Sequence, residues 1–222
     1  MSDARTAILD RIERALRTGR IPEVRPAEGL ALQGAAALEA GPEGARAFPA
    51  SGEPLADRFL LEARALGVEV FVEPTPEAVR DRLRSLVAGL RVLSWNRDRL
   101  PYDCGTVLGD ALPGSAARQE QARADVGVTA CHGAIAETGS LALISGPGCS
   151  RTVSLLPPWH IAVVRRDDLF ATMGDFFQAR ADVMASAANC TFVTGPSRTA
   201  DIELSLTIGV HGPGKVAVIL GP

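Results

Sequence analysis

Three observations predict an α/β fold built on a mixed, mainly parallel sheet flanked by helices. From residue 55 onward, apolar residues at helical spacing alternate with short strand-like apolar runs. Strand, helix and strand in turn call for crossover connections, hence parallel pairing with helices on both faces. Between residues 125 and 164, by contrast, short strands follow one another without an intervening helix, so part of the sheet is expected to be antiparallel.

The elements follow in order. Residues 3–18 read as a first helix, because Ile8, Leu9, Ile12, Ala15 and Leu16 share one stripe and Gly19 can end it. Residues 21–55 hold five Pro and five Gly with no sustained period, a linker or draped arm. Two regions result, an N-terminal helix and Pro/Gly-rich arm over 1–54 and an α/β domain over 55–222. Leu55, Phe59, Ala63 and Leu66 mark a helix stopped by Gly67, and Val68–Val72 reads as a strand. Thr75 as N-cap and Pro76 at the first helical position open a helix in which Val79, Leu83, Leu86, Val87 and Leu90 recur at helical spacing. Val92–Trp95 is a strand, 98–114 a loop, 115–123 a short polar helix and Asp125–Ala130 a strand. Ala134–Leu143 alternates as a strand, and Ile161–Val164 is fully apolar. Asp167 or Asp168 caps a helix running to about Ala187, before strands at Thr191–Val193 and Val216–Leu220.

Composition narrows the function. With 46% hydrophobic and 22% charged residues the chain falls among ordinary globular proteins, and a net charge of −3 argues against nucleic acid as a general partner. No apolar run of about 18 residues is present to span a bilayer. The N-terminus lacks the pattern of a secretory signal, so a cytoplasmic location is expected. Cys104, Cys131, Cys149 and Cys190 form no C-x-x-C pair, which removes the usual signature of a zinc or iron–sulfur site. No cofactor is assignable from the sequence.

Structure and chemistry overlap most between Ala124 and Val164. In an alternating strand, Ile135, Glu137, Leu141 and Leu143 share a face, which places one carboxylate among large apolar side chains. Such an acid needs a partner or a cleft. Glu137 is therefore a candidate nucleophile or base, with Thr138 and Gly139 beside it as substrate-binding candidates, Gly139 by allowing close backbone approach. Arg151, after a Gly-Pro-Gly turn, can pair a substrate carboxylate or Glu137 itself. Thr194–Asp201 follows a strand and precedes an expected helical turn, so Ser197, Arg198 and Asp201 are candidates for a site that holds a carboxylate or phosphate, although a loop satisfying its own backbone explains them equally. Among His132, His160 and His211, the last has the best functional case because it sits in a Gly-rich turn. Three separated histidines do not define a metal site. Gly212–Ala217 and Gly146–Arg151 approach nucleotide-binding glycine patterns, but the first is followed by a strand where a helix must open, and the second has Arg151 where the last glycine belongs.

The run Gly127-Val128-Thr129-Ala130-Cys131-His132-Gly133-Ala134-Ile135-Ala136-Glu137-Thr138-Gly139-Ser140, then Leu155–Ile161, Thr199–Glu203 and Gly209–Pro213, resembles the LUD domain family of the lactate utilization protein C type. The resemblance implies a fold similar to the NagB, ribose-5-phosphate isomerase and CoA-transferase group. It implies membership of a cytoplasmic system oxidising L-lactate to pyruvate, with iron–sulfur and cysteine-rich partner subunits. Binding of a small carboxylate or organisation of redox partners is the leading expectation. A self-sufficient transferase-like or isomerase-like enzyme acting on an anionic molecule through Glu137 and His211 is the alternative.

Overall fold

The computed structural model describes residues 54–200 and 206–222. The helix expected at 3–18 and the arm up to residue 53 lie outside them, as does Asp201.

Helix α1 (Leu55–Ala65) buries Ala56, Phe59 and Ala63 and ends at Gly67, whose φ of +85° favours glycine. Strand β1 (Glu69–Val72) follows. Helix α2 (Pro76–Val87) is capped as its sequence predicts, the Thr75 side chain accepting from the Ala78 N–H at 3.2 Å. Its apolar stripe of Val79, Leu83 and Val87 is buried. Strands β2 (Val92–Ser94), β3 (Leu112–Pro113), β4 (Val126–Thr129), β7 (Trp159–Val164) and β12 (Lys215–Leu220) join β1 in a six-stranded sheet of order β1-β12-β7-β4-β2-β3. Every pairing in it is parallel. Ile161, Ala162, Val216, Val218 and Ile219 are almost fully buried, as strands covered on both faces must be.

A separate four-stranded sheet holds β8 (Leu169–Phe170), β5 (Gly133–Ile135), β6 (Ser140–Ser145) and β9 (Asn189–Val193), in which β6 pairs antiparallel with β5 and β9 while β5 and β8 run parallel. A smaller apolar cluster of Ile135, Ala142, Ile144 and Phe176 packs on it, with Phe176 edge-on to Phe170 and Phe192. Strands β10 (Arg198–Ala200) and β11 (Leu206–Ile208) make a two-stranded ribbon.

Four local expectations are corrected. The strand over Ala134–Leu143 is a hairpin: β5 and β6 flank a turn at 136–139, in which Gly139 at φ +63° lets the chain reverse. The loop at 98–114 contains 3-10 turns at Arg97–Arg99 and Pro101–Val107 and the two-residue β3, too short to show a period. The polar helix at 115–123 shrinks to α3 (Arg118–Gln121). The long helix after Asp167 is replaced by β8 and two short helices, α4 (Met173–Ala179) and α5 (Ala181–Ser186). A reciprocal capping box between Thr172 and Asp175 starts α4 later than Asp167, and non-helical Arg180 divides it from α5.

Candidate active site at the carboxyl ends of the parallel strands

Chain direction through the parallel sheet reverses between β2 and β4. From β2 the chain steps outward to β3, whereas from β4 it steps the other way through β7 to β12. In open parallel sheets the crevice outside the strand carboxyl ends at such a reversal is where ligands bind, because adjacent loops diverge there. A cleft of about 370 Å³ lies at this point. Its walls are the loop after β2 (Trp95, Asp98, Arg99), the loop after β4 (Ala130, Cys131, His132) and the loop after β7 (Arg165, Asp168), with Cys149 beside them.

His132 is held from several sides. Its Nδ1 accepts the Ile144 N–H at 3.0 Å, so the ring proton of the neutral form sits on Nε2. Its carbonyl oxygen accepts from Arg180 Nε at 3.0 Å, its N–H donates to the Ala142 carbonyl at 2.8 Å, and its ring lies 5.4 Å from that of Trp95. Burial lowers its pKa, and the charges of Arg180 and Arg99 lower it further. The result is a neutral imidazole with its one N–H donor on Nε2, in a residue that lines the cleft.

The charges nearby are divided unevenly. Burial raises the Asp168 pKa while Arg180 and Arg165 oppose it, and Arg180 Nη2 meets its carboxylate at 2.9 Å. Asp98 lies 3.7 Å from Arg99. Arg165 is exposed and has no ion-pair partner within 4 Å among the described residues. Burial pushes the thiols of Cys131 and Cys149 up, so both stay protonated near neutral pH and are poor nucleophiles. In the sheet itself, His160 is fully buried, pairs Thr129 Oγ1 through Nε2 at 2.9 Å, and has its pKa pushed down to about 4 by burial. Two guanidiniums and a neutral N–H converge on one cleft, a donor set that suits a carboxylate with an oxygen on the adjacent carbon. Among the described residues, no group of three or more His, Cys, Asp or Glu side chains is placed to hold a metal ion.

The sequence pattern of the LUD domain matches residues 56–220. The chain belongs to the LUD domain family. Among its relatives, a lactate utilization protein C of Exiguobacterium sp. is 34% identical over 183 residues, covering 77% of this chain and 79% of that protein. Proteins of the same name from Halalkalibacterium halodurans (35%) and Bacillus subtilis (36%) align over half of this chain, and the alignment spans about half of their own lengths. A crystal structure of a DUF162 family protein from Deinococcus radiodurans superposes with a TM-score of 0.63 at 26% identity, over 78% of this chain and all of that one.

In this LUD domain the described candidates Glu137, Thr138, Gly139, Arg151, Ser197, Arg198 and His211 are not among the residues that line the cleft. Glu137 is half-buried in the β5–β6 turn, where its Oε1 accepts the Met173 N–H at 2.8 Å and so caps α4. It is not flanked by strand neighbours, because the hairpin removes it from the alternation. Thr138 donates to Ser140 Oγ, which lies 2.7 Å from Thr194 Oγ1. A Cβ on Gly139 would stand 2.5 Å from the Ala63 nitrogen, so the close approach expected there is to α1. Arg151 is exposed and follows the turn after β6, whereas Glu137 precedes that strand. Six residues of strand separate the two ends by roughly 20 Å. The Ser197 N–H donates to the Pro213 carbonyl, and Arg198 donates to Leu66 O at 2.6 Å. Arg198–Ala200 form β10, and the helical turn expected after Asp201 lies outside the described residues. His211 is exposed in the turn before β12, at the amino end of the parallel sheet.

Sequence reasoning passed over Arg99, Arg165 and Arg180, and treated Asp168 only as a helix cap. The signal that finds the cleft residues is positional: they directly follow β2, β4 and β7, the loops that a parallel sheet places at one edge.

Proposed function

We propose that this LUD domain chain serves lactate utilization by binding a small carboxylate in the cleft beyond β2, β4 and β7. Arg165 and Arg99 would take the carboxylate, and the His132 Nε2–H would donate to the oxygen on the adjacent carbon, as hydroxyl in lactate or carbonyl in pyruvate. The observation that carries this reading is the Ile144 N–H bond to His132 Nδ1, which leaves the ring a donor toward a cleft containing an unpaired arginine. The relatives named lactate utilization protein C support the substrate class. Redox centres would reside in the iron–sulfur and cysteine-rich partner subunits that the family resemblance implies, and the chain would act in the cytoplasm.

Calorimetric titration of the full chain with L-lactate and pyruvate tests this. Arg165→Ala should weaken binding by about tenfold or more, since a charge-assisted hydrogen bond contributes about 1.5–3 kcal/mol, and Arg165→Lys should restore part of it. Equal affinity in wild type and Arg165→Ala would sink the assignment.

A further inference from the structure

A second hollow, of about 400 Å³, adjoins the cleft, and Cys149 lines both. Its other walls include Asn96, Ser115, Ser145, Gly146, Gly148 and Ser150. Trp95 Nε1 donates to the Ser150 carbonyl at 3.1 Å and the Asn96 N–H to the Gly148 carbonyl at 2.9 Å. These two bonds tie the 95–96 segment to the 146–150 turn, which fixes the placement of one hollow beside the other.

The chemistry of the two hollows differs. Two arginines, two aspartates and a histidine line the first, whereas no side chain lining the second carries a formal charge, its only ionisable group being the Cys149 thiol. The side chains of Asn96, Ser115 and Ser145 have no hydrogen-bond partner among the described residues. Hydroxyls and an amide both donate and accept, as alcohol groups do, while an ionic group there would meet no counter-charge. Together the hollows reach the size range of sites for ligands much larger than a three-carbon acid.

We infer that the ligand of this site is a polyhydroxy carboxylic acid, of the aldonic acid class, with lactate's 2-hydroxy acid head group and a longer hydroxylated chain. The head group occupies the Arg99, Arg165 and His132 cleft, and the chain runs past Cys149 into the serine-lined hollow. This inference rests on the carboxylate reading of the cleft and extends it to substrate length.

Calorimetric titration of the full chain with L-lactate, D-gluconate and D-galactonate tests it, in wild type and in a Ser115→Ala/Ser145→Ala double variant whose fold is checked by circular dichroism. At least one aldonic acid should bind tenfold or more tighter than L-lactate. The double variant should remove that gain and leave L-lactate affinity as it is. L-Lactate binding with no gain for either aldonic acid overturns the inference and leaves the carboxylate reading standing. An aldonic acid affinity that survives the double substitution overturns the placement of the chain, and absence of binding by all three acids defeats both readings.

Discussion

Arg180 Nε donates to the carbonyl oxygen of His132 at 3.0 Å, while the same guanidinium holds Asp168 at 2.9 Å. One side chain, at the junction of α4 and α5, thereby braces two loops that wall the cleft, and it also lies over the Phe170 ring at 5.5 Å. Arg180→Ala should lower the unfolding free energy by about 1–2 kcal/mol, the loss of charge-assisted bonds at a partly exposed site. L-Lactate affinity should fall with it. Arg180→Lys, which keeps the charge near Asp168 but not the planar fork, should restore stability more than affinity. Denaturant melts and calorimetry read the two effects separately.

Glu137 belongs to a different part of the molecule, where it satisfies the Met173 N–H at the start of α4. Glu137→Ala should cost about 1 kcal/mol of stability, the scale of a lost helix cap, and Glu137→Gln less, because its amide oxygen still accepts. Carboxylate binding should be unchanged in both variants, which equilibrium titration checks.

Gly127 permits a contact that no other residue allows. A Cβ there would lie 1.9 Å from the Val153 carbonyl oxygen, so the 3-10 turn at Arg151–Ser154 rests directly on the β4 backbone. Gly127→Ala should destabilise by several kcal/mol, at the upper end for point substitutions, because backbone and not a flexible side chain must move. Thermal unfolding should show a midpoint lowered by many degrees.

Acid should weaken the fold through His160. Unfolded, this histidine takes up a proton near pH 6.5; folded, only near pH 4. Between those values the unfolded chain binds more protons, so stability is full above pH 6.5 and falls as the pH drops toward 4, by on the order of 3 kcal/mol. His132, whose pKa is also lowered, adds in the same direction. Urea midpoints from pH 4 to 8 should therefore decline on the acid side, and His160→Gln should flatten the slope.

Much of this architecture is legible in the residues, for identifiable reasons. Thr75-Pro76 and the Val79, Leu83, Val87 stripe announce α2, since capping and periodicity are local. The apolar runs at 161–164 and 216–220 announce buried parallel strands. The hairpin at 136–139 is harder to read, because Ala134–Leu143 alternates well enough to pass for one strand and only Gly139 signals the reversal. The cleft is harder still. Arg99, His132 and Arg165 are separated in sequence by tens of residues and meet only because β2, β4 and β7 are neighbours, a fact of strand order that no local pattern encodes.

The most direct test of the cleft follows the ring nitrogens of the three histidines by NMR while L-lactate is added to the full chain. With the carboxylate bound in the cleft, His132 alone should shift strongly, its proton on Nε2 in the free and bound states, while buried His160 and exposed His211 stay nearly fixed. A titration in which His211 moves and His132 does not would contradict it.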